Sequence, residues 1–394
     1  MARRVGLAIF HGMTIRPALL AAALLVLPLS APAIERAGRG DASGSIKRAE
    51  QLLADDKPEE AAAAYTEAAE AAPRDWHAFS GRALAYDRLQ LADLANADRD
   101  HAVQVAPDAF EPLMDRGTKL FLKKRYADAI RDLDAAVRLK PGYFALYHWR
   151  GCAYAQNNQP EQAVADFTRV IDAGADASDY QGVELFNRAL AEHALGRLPD
   201  ALADYEAAEK AGQSTVDARA ECLIDLRRWK DAEEIYSDIL RATDEDSDED
   251  RKARYDALRN RAVALAGQKL HERAEADLTE AIALKPDDLY AYGTASWTRL
   301  FAGKFAEART AALKALSIDG SQTWVHLNLA HAYVLEGHLD WAKSIYVQDK
   351  DKRGSWNRSG VEIALQDLKD LREAGVEHPD LARAEEFLHT LATP

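Results

Sequence analysis

Small apolar residues recur along most of this chain at a fixed spacing, and that periodicity predicts its elements. The clearest series is a set of alanines 34 residues apart: Ala61, Ala95, Ala129 and Ala163. A parallel series of small residues runs through Ala49, Ala83, Gly117 and Gly151, and a proline series through Pro73, Pro107 and Pro141. A period of this length, built from helical apolar spacing and closed by proline, predicts one antiparallel helix pair per period, stacked as a solenoid.

The third period shows the local logic most clearly. It predicts a first helix from Phe110 to Lys123 and a second from Ala127 to Leu139. Gly117 and Ala129 are small enough for the two helix backbones to approach closely, and Pro141 ends the second helix. One such hairpin cannot bury its apolar face alone, so each unit needs its neighbours.

This pattern resembles the tetratricopeptide repeat. The resemblance implies an all-α fold, a right-handed superhelical solenoid of about nine helical hairpins over residues 42–353. The aligned units start near Ala42, Trp76, Phe110, Phe144, Gly182, Gln213, Tyr255, Leu289 and Thr323.

The repeat slips around Gly174 to Gln181 and breaks again near 243–252, where the sequence is strongly acidic. Alternating Asp244, Asp246 and Asp248 could suggest a calcium loop, but the glycine and closing glutamate of such a loop are missing. A solvated loop leading into a helix N-terminus, where negative charge is favourable, is the better interpretation.

After Val347 the repeat ends. Val361, Leu365 and Leu368 follow helical spacing, and a last helix is expected after Pro379. Residues 354–394 are therefore predicted to form a C-terminal helical cap that shields the end of the solenoid core.

The first 33 residues have the pattern of a secretory signal peptide. Arginines precede an apolar run from Ala18 to Leu29, and Ala31-Pro32-Ala33 supplies the small residues for cleavage after Ala33. The run is shorter than the roughly 20 residues of a membrane-spanning helix, which disfavours an uncleaved anchor. We therefore expect an exported, periplasmic protein whose mature chain starts at Ile34, with a linker over 34–41 and no membrane span after processing.

Charge narrows the set of partners. The chain carries 65 acidic and 50 basic residues, a net charge of −15, and loses three arginines with the signal. Such an acidic chain is a poor ligand for nucleic acid. The only cysteines, Cys152 and Cys222, lie two repeats apart and are expected to be buried thiols, not a disulfide.

No catalytic or cofactor-binding motif is present. The sequence contains no zinc-protease helix, nucleophile elbow, phosphate-binding loop or paired C-x-x-C, and its 11 histidines are scattered. We predict no enzymatic activity, no cofactor and no metal.

The resemblance implies that the first helix of each unit lines a concave groove. That mapping yields an aromatic group and an acidic group as predicted partner-binding residues: Tyr290, Trp297, Phe301 and Trp324, then Asp217, Glu221 and Asp225. His331 maps to the same wall. Rigid aromatic side chains in a groove favour peptide binding, and the carboxylates favour a basic stretch in the partner. The alternative is that the aromatic residues pack in the core or against the cap.

These observations predict a non-catalytic scaffold of the cell envelope that binds a protein or extended peptide in its concave groove. A polysaccharide-binding protein, or an accessory subunit of an envelope enzyme complex, is the alternative, because aromatic walls also stack on sugar rings.

Overall fold

The computed structural model describes residues 42–174, 181–243, 247–353 and 358–392. The predicted signal peptide and linker lie outside the described residues. Over the described ranges the chain forms twenty α-helices and no β-strand, so the prediction of an all-helical solenoid is confirmed. The helices are α1 Ala42–Ala54, α2 Pro58–Ala71, α3 Trp76–Arg88, α4 Ala92–Val105, α5 Phe110–Leu122, α6 Tyr126–Leu139, α7 Phe144–Gln156, α8 Pro160–Asp172, α9 Gln181–Ala194, α10 Leu198–Lys210, α11 Val216–Asp225, α12 Trp229–Ala242, α13 Asp248–Gly267, α14 His271–Leu284, α15 Leu289–Phe301, α16 Phe305–Ile318, α17 Thr323–Leu335, α18 Leu339–Asp349, α19 Gly360–Glu373 and α20 Pro379–Ala392.

The chain divides into two compact units, whose described residues fall within 42–191 and 192–392. We call them the N-terminal and C-terminal units. Within each unit, consecutive helices pack as hairpins, and the second helix of one hairpin packs against the first helix of the next. Helices begin at Trp76, Phe110 and Phe144, the residues at which the repeat pattern places unit starts.

Small residues set the spacing between paired helices. Ala61, Ala95, Ala129 and Ala163 are all fully buried. At Gly117, a Cβ atom would lie 2.9 Å from Cγ of Leu133 in the paired helix, closer than carbon atoms pack. The recurrent small residues therefore allow the backbones of paired helices to approach closely, as the period predicts.

The turn inside most hairpins contains one residue in the left-handed conformation. Gln90, Lys124 and Asn158 hold this position in the N-terminal unit, and Arg227 and Lys269 hold it in the C-terminal unit, with φ between 57° and 63°. These residues occupy equivalent places in the repeat, so a substitution at one of them can serve as the control for the same substitution at another.

A periodic ion pair connects the two helices of several hairpins. Arg82 binds Asp98 through two hydrogen bonds of 2.7 and 2.8 Å, and the next two units repeat the contact one period apart. The repeated pairs are Arg116 with Asp132 and Arg150 with Asp166. The aspartates are buried, so these two-point contacts are stronger than surface ion pairs.

The acidic break leads directly into α13. Ser247 caps this helix by accepting a hydrogen bond from the backbone N–H of Asp250 at 2.9 Å. The helix thus starts at Asp248, about two turns before Tyr255, where the repeat alignment places the unit start. Asp244 and Asp246 lie outside the described residues.

The two last helices pack onto the final hairpin of the C-terminal unit. Helix α19 contacts α17 and α18, and α20 contacts the same two helices as well as α19. Ser359 and Glu362 form a capping box at the start of α19, and Gly375 follows its end with φ of 91°. The sequence pattern predicts both helices, whereas the face that α19 covers emerges only from the packing.

Candidate partner-binding site

Two of the predicted aromatic residues stack along one column of adjacent hairpins. The rings of Tyr290 and Trp324 lie 6.4 Å apart and are nearly parallel, at 9°. Tyr290 is partly exposed, whereas Trp324 is only 2% exposed. Its indole lies over Gly293, where a Cβ atom would come within 2.1 Å of the ring. The Tyr290 ring is thus partly exposed, and it stacks on the buried ring of Trp324.

The other two predicted aromatic residues form a second pair on α15. The ring centroids of Trp297 and Phe301 are 4.8 Å apart at an interplanar angle of 74°, an edge-to-face contact. Trp297 is 1% exposed, and Phe301 keeps part of its surface accessible. The expectation of four aromatic side chains along an open wall is therefore corrected: Trp297 and Trp324 are core residues.

Helix α19 explains part of this burial, because its residues bind side chains assigned to the concave wall. The imidazole Nε2 of His331 lies 3.1 Å from Oδ2 of Asp367 on α19, and the hydroxyl of Tyr346 lies 2.9 Å from Nδ1. His331 and Asp367 are fully inaccessible to solvent. Burial raises the pKa of Asp367, while the contact with His331 opposes the shift. Part of the predicted groove is thus occupied by the chain itself.

A second contact connects α19 to a distant hairpin turn. Arg227 follows α11 and binds Asp370 at 2.8 Å and Glu373 at 2.7 Å, both on α19. Asp370 is 3% exposed, so its contact with Arg227 is shielded from water. No local sequence pattern predicts this contact, because the two residues lie 143 positions apart.

The three predicted acidic residues differ in environment. Asp217 is exposed, Glu221 is half-buried, and Asp225 is buried with its Oδ2 2.8 Å from Nε2 of His193. Burial, followed by the charges of Asp217 and Asp225, raises the pKa of Glu221 to about 7, although His193 and Arg259 oppose the shift. Of the three carboxylates, those of Asp217 and Glu221 are therefore the ones that solvent can reach.

Arg259 connects the acidic residues to the aromatic ones. It is 5% exposed, its charge acts on Glu221, and its guanidinium carbon lies 5.9 Å from the centroid of the Tyr290 ring. Arg259 is the fifth residue of the unit that starts at Tyr255, and the sequence mapping did not select it. The buried Arg259 thus acts electrostatically on Glu221 and lies against the Tyr290 ring.

The comparisons with known proteins agree with this architecture. A family model of the tetratricopeptide repeat matches residues 150–215 and 218–288. The chain contains tetratricopeptide repeats. Proteins built from this repeat are in general non-catalytic scaffolds for protein–protein interaction.

Two curated relatives share only part of their length with this chain. Human Tetratricopeptide repeat protein 13 is 29% identical over 133 residues, which is 32% of this chain and 15% of that protein. Mouse Serine/threonine-protein phosphatase 5 is 32% identical over 109 residues, which is 28% of this chain and 21% of that protein. The likeness therefore concerns the repeats and not the whole relatives.

A solved structure supports the fold over a longer stretch. The crystal structure of a tetratricopeptide repeat protein from Parabacteroides merdae covers 71% of this chain and 98% of its own, with 18% identity and a TM-score of 0.51. None of the helices in the described ranges has the length and apolar character needed to cross a membrane. Within those same ranges, no group of three or more histidine, cysteine or acidic side chains is arranged to hold a metal.

Proposed function

We propose that this tetratricopeptide repeat protein is an exported, non-catalytic scaffold of the cell envelope that binds a protein or extended peptide on the concave face of its C-terminal unit. The proposal rests on the part-exposed rings of Tyr290 and Phe301 and on the carboxylates of Asp217 and Glu221, which are exposed or half-buried. These side chains combine part-exposed aromatic rings with two carboxylates. Trp297 and Trp324 hold this surface from beneath.

The charge of this surface favours a partner with a basic stretch. The charge of Asp217 contributes to the raised pKa of Glu221, so the two carboxylates lie close together. Asp225 is buried and within hydrogen-bonding distance of His193, so a partner cannot contact its carboxylate directly. Carboxylates on one wall attract a cationic segment during encounter, and this attraction acts mainly on the association rate.

The aromatic side chains are expected to act on the dissociation rate. Tyr290 and Phe301 each keep part of a ring exposed while the rest packs on a buried tryptophan. Little side-chain freedom remains to be lost on binding, which is the property of strong anchor residues. A partner with apolar side chains near its basic residues fits both features.

A peptide array tests the charge preference. Purified protein is applied to extended peptides that share their apolar residues and differ in net charge, and we expect retention on the basic members. The double variant Asp217→Asn with Glu221→Gln should lose that preference, whereas Glu272→Gln, an exposed acid on α14, should retain it. Equal retention on acidic and basic peptides would refute the charge argument.

A peptide selected from the array separates anchoring from stability. Tyr290→Ala and Phe301→Ala should each accelerate dissociation, together weakening binding by about 2 kcal/mol, without a large fall in melting temperature. Trp297→Ala and Trp324→Ala should instead cost about 3–5 kcal/mol of folding stability, because each leaves a cavity. If Tyr290→Ala and Phe301→Ala leave peptide affinity unchanged, the aromatic surface is not the binding site.

A further inference from the structure

A cavity of about 290 Å³ lies within the C-terminal unit, between α13, α15 and α19. Three aromatic side chains and several small ones form its apolar lining: Trp229, Trp297, Phe301, Val263, Ala266 and Ala374. Trp297 is buried, whereas Trp229 and Phe301 keep part of their surface accessible. The aromatic lining thus extends from part-exposed rings to a buried indole.

Packing within the chain holds these rings in place. A Cβ atom at Gly267 would lie 2.5 Å from Cδ2 of Trp229, so this indole lies directly on the backbone of α13. Trp297 and Phe301 contact each other edge to face on α15. Walls that are already ordered lose little conformational freedom when a ligand binds between them.

The cations at the edge of the cavity already lie beside negative groups. Arg227 binds two carboxylates of α19. A Cβ atom on Gly375 would lie 4.0 Å from Nζ of Lys269, so this ammonium lies near the C-terminal end of α19, where the backbone carbonyls carry partial negative charge. Burial, together with the charges of Lys304 and Lys269, lowers the pKa of His271, so its ring is neutral near pH 7. An uncharged group is therefore favoured inside the cavity, because it leaves these charges with their present partners.

Size and shape favour an aromatic group. An apolar cavity of roughly 150 Å³ holds benzene, so one about twice as large has room for a phenyl or indole side chain. An aromatic ring gains from edge-to-face and offset contacts with other rings beyond the area that it buries, and an aliphatic side chain lacks this gain. Three rings in the lining offer such contacts.

The cavity adjoins the proposed peptide-binding surface. Phe301 belongs to that surface and also lines the cavity. Glu221 precedes Arg227, at the edge of the cavity, by six residues of the same hairpin, which is roughly 9 Å along a helix. An extended peptide spans that distance in about three residues.

We propose that this cavity receives one aromatic side chain of the partner peptide, a tryptophan or phenylalanine about three residues from a basic residue that faces Glu221. The inference rests on the proposed peptide-binding function and adds the identity of the partner's anchor residue. The ring lies against Trp229, Trp297 and Phe301.

Uncharged single residues test the cavity without the peptide. Ligand-detected NMR on the mature chain measures the binding of N-acetyltryptophanamide and N-acetylleucinamide. We expect saturable binding of the tryptophan amide and about three- to tenfold weaker binding of the leucine amide, the size of an aromatic contact. Neither probe carries a charge, so this result does not depend on Asp217 or Glu221.

A labelled peptide tests the link to the peptide surface. Its sequence is two lysines, two alanines, one tryptophan and two alanines, blocked at both ends, and fluorescence anisotropy of the dye reports binding. Replacing the tryptophan by alanine should weaken binding about 30-fold. Replacing both lysines by glutamine tests the charge preference separately. A peptide that loses affinity with glutamine but not with alanine would retain the proposed function and overturn the proposal for the cavity.

Filling the cavity from the chain itself provides the protein variant. Ala374 is the C-cap residue of α19 and lines the cavity, so Ala374→Phe should abolish binding of N-acetyltryptophanamide and weaken the peptide at least about tenfold. Ala211→Phe makes the same change at the exposed C-cap of α10 in the same unit and should alter neither. Melting temperatures of both variants check that they fold.

Three results would overturn the proposal. They are no saturable binding of N-acetyltryptophanamide, binding of N-acetylleucinamide that is equal or tighter, and equal affinity of the tryptophan peptide for wild type and folded Ala374→Phe.

Discussion

The contact between Gly293 and Trp324 allows a sharp test of the packing, through the substitution Gly293→Ala. A Cβ atom at this position would lie 2.1, 2.7 and 3.0 Å from three carbons of the Trp324 ring. Carbon atoms pack best at roughly 3.5–4.0 Å, so the ring would have to retreat by more than about 1 Å. Trp324 packs among buried residues that include Ala312 and Val325, which leave little room for that movement.

Two effects of opposite sign determine the magnitude. Alanine is favoured over glycine inside a helix by about 1 kcal/mol, which would stabilise α15. Overpacking a dense core costs about 1–3 kcal/mol and occasionally more, and the 2.1 Å approach puts this site at the upper end. The net expectation is a loss of about 2 kcal/mol, or a fall of about 4–8 °C in melting temperature for a unit of this size.

Thermal unfolding followed by circular dichroism measures the effect, with Gly44→Ala as the control. Gly44 is also helical, but a Cβ atom there would meet nothing within 4 Å. Gly44→Ala should leave the melting temperature unchanged or slightly raised. In a Trp324→Leu background, Gly293→Ala should cost less than in wild type. A Gly293→Ala protein that melts at or above the wild-type temperature would refute this account of the packing.

Three further predictions concern titration, the ion-pair series and export. The pKa of Glu221 is raised to about 7 in the folded chain, above its value of 4.5 when unfolded, so this group's contribution to stability is lost as pH rises from about 4.5 to about 7. Glu221→Gln should therefore be more stable than wild type at pH 8, by about 1–2 kcal/mol after allowance for partial exposure. At pH 4 the two proteins should be equally stable. Equal urea midpoints at pH 8 would contradict this prediction. Arg116→Met should cost about 2–4 kcal/mol because it leaves buried Asp132 without its cation, whereas Arg131→Met, in an exposed ion pair, should not change the melting temperature. Envelope protein should begin at Ile34 on N-terminal sequencing, and an uncleaved terminus there would contradict the predicted signal peptide.

The sequence by itself determined the features that depend on contacts between consecutive hairpins. Each hairpin packs against the next one along the chain, so the 34-residue period already encodes the helix starts at Trp76, Phe110 and Phe144. The small residues at Gly117 and Ala129 are predictable for the same reason, since their partners lie within the same period. Where the period breaks, as before α13, the predicted start is displaced by about two turns.

The tertiary structure alone decided which of the predicted groove residues remain accessible. Trp297 and Trp324 have the spacing of groove residues, yet a neighbouring hairpin and α19 bury them. Helix α19 is positioned by His331, 36 residues before Asp367, and by Arg227, 143 residues before Asp370. Neither distance is a multiple of the repeat, because α19 is not a repeat helix. Its docking depends on charge and shape complementarity between distant segments, and such complementarity leaves no periodic pattern in the sequence.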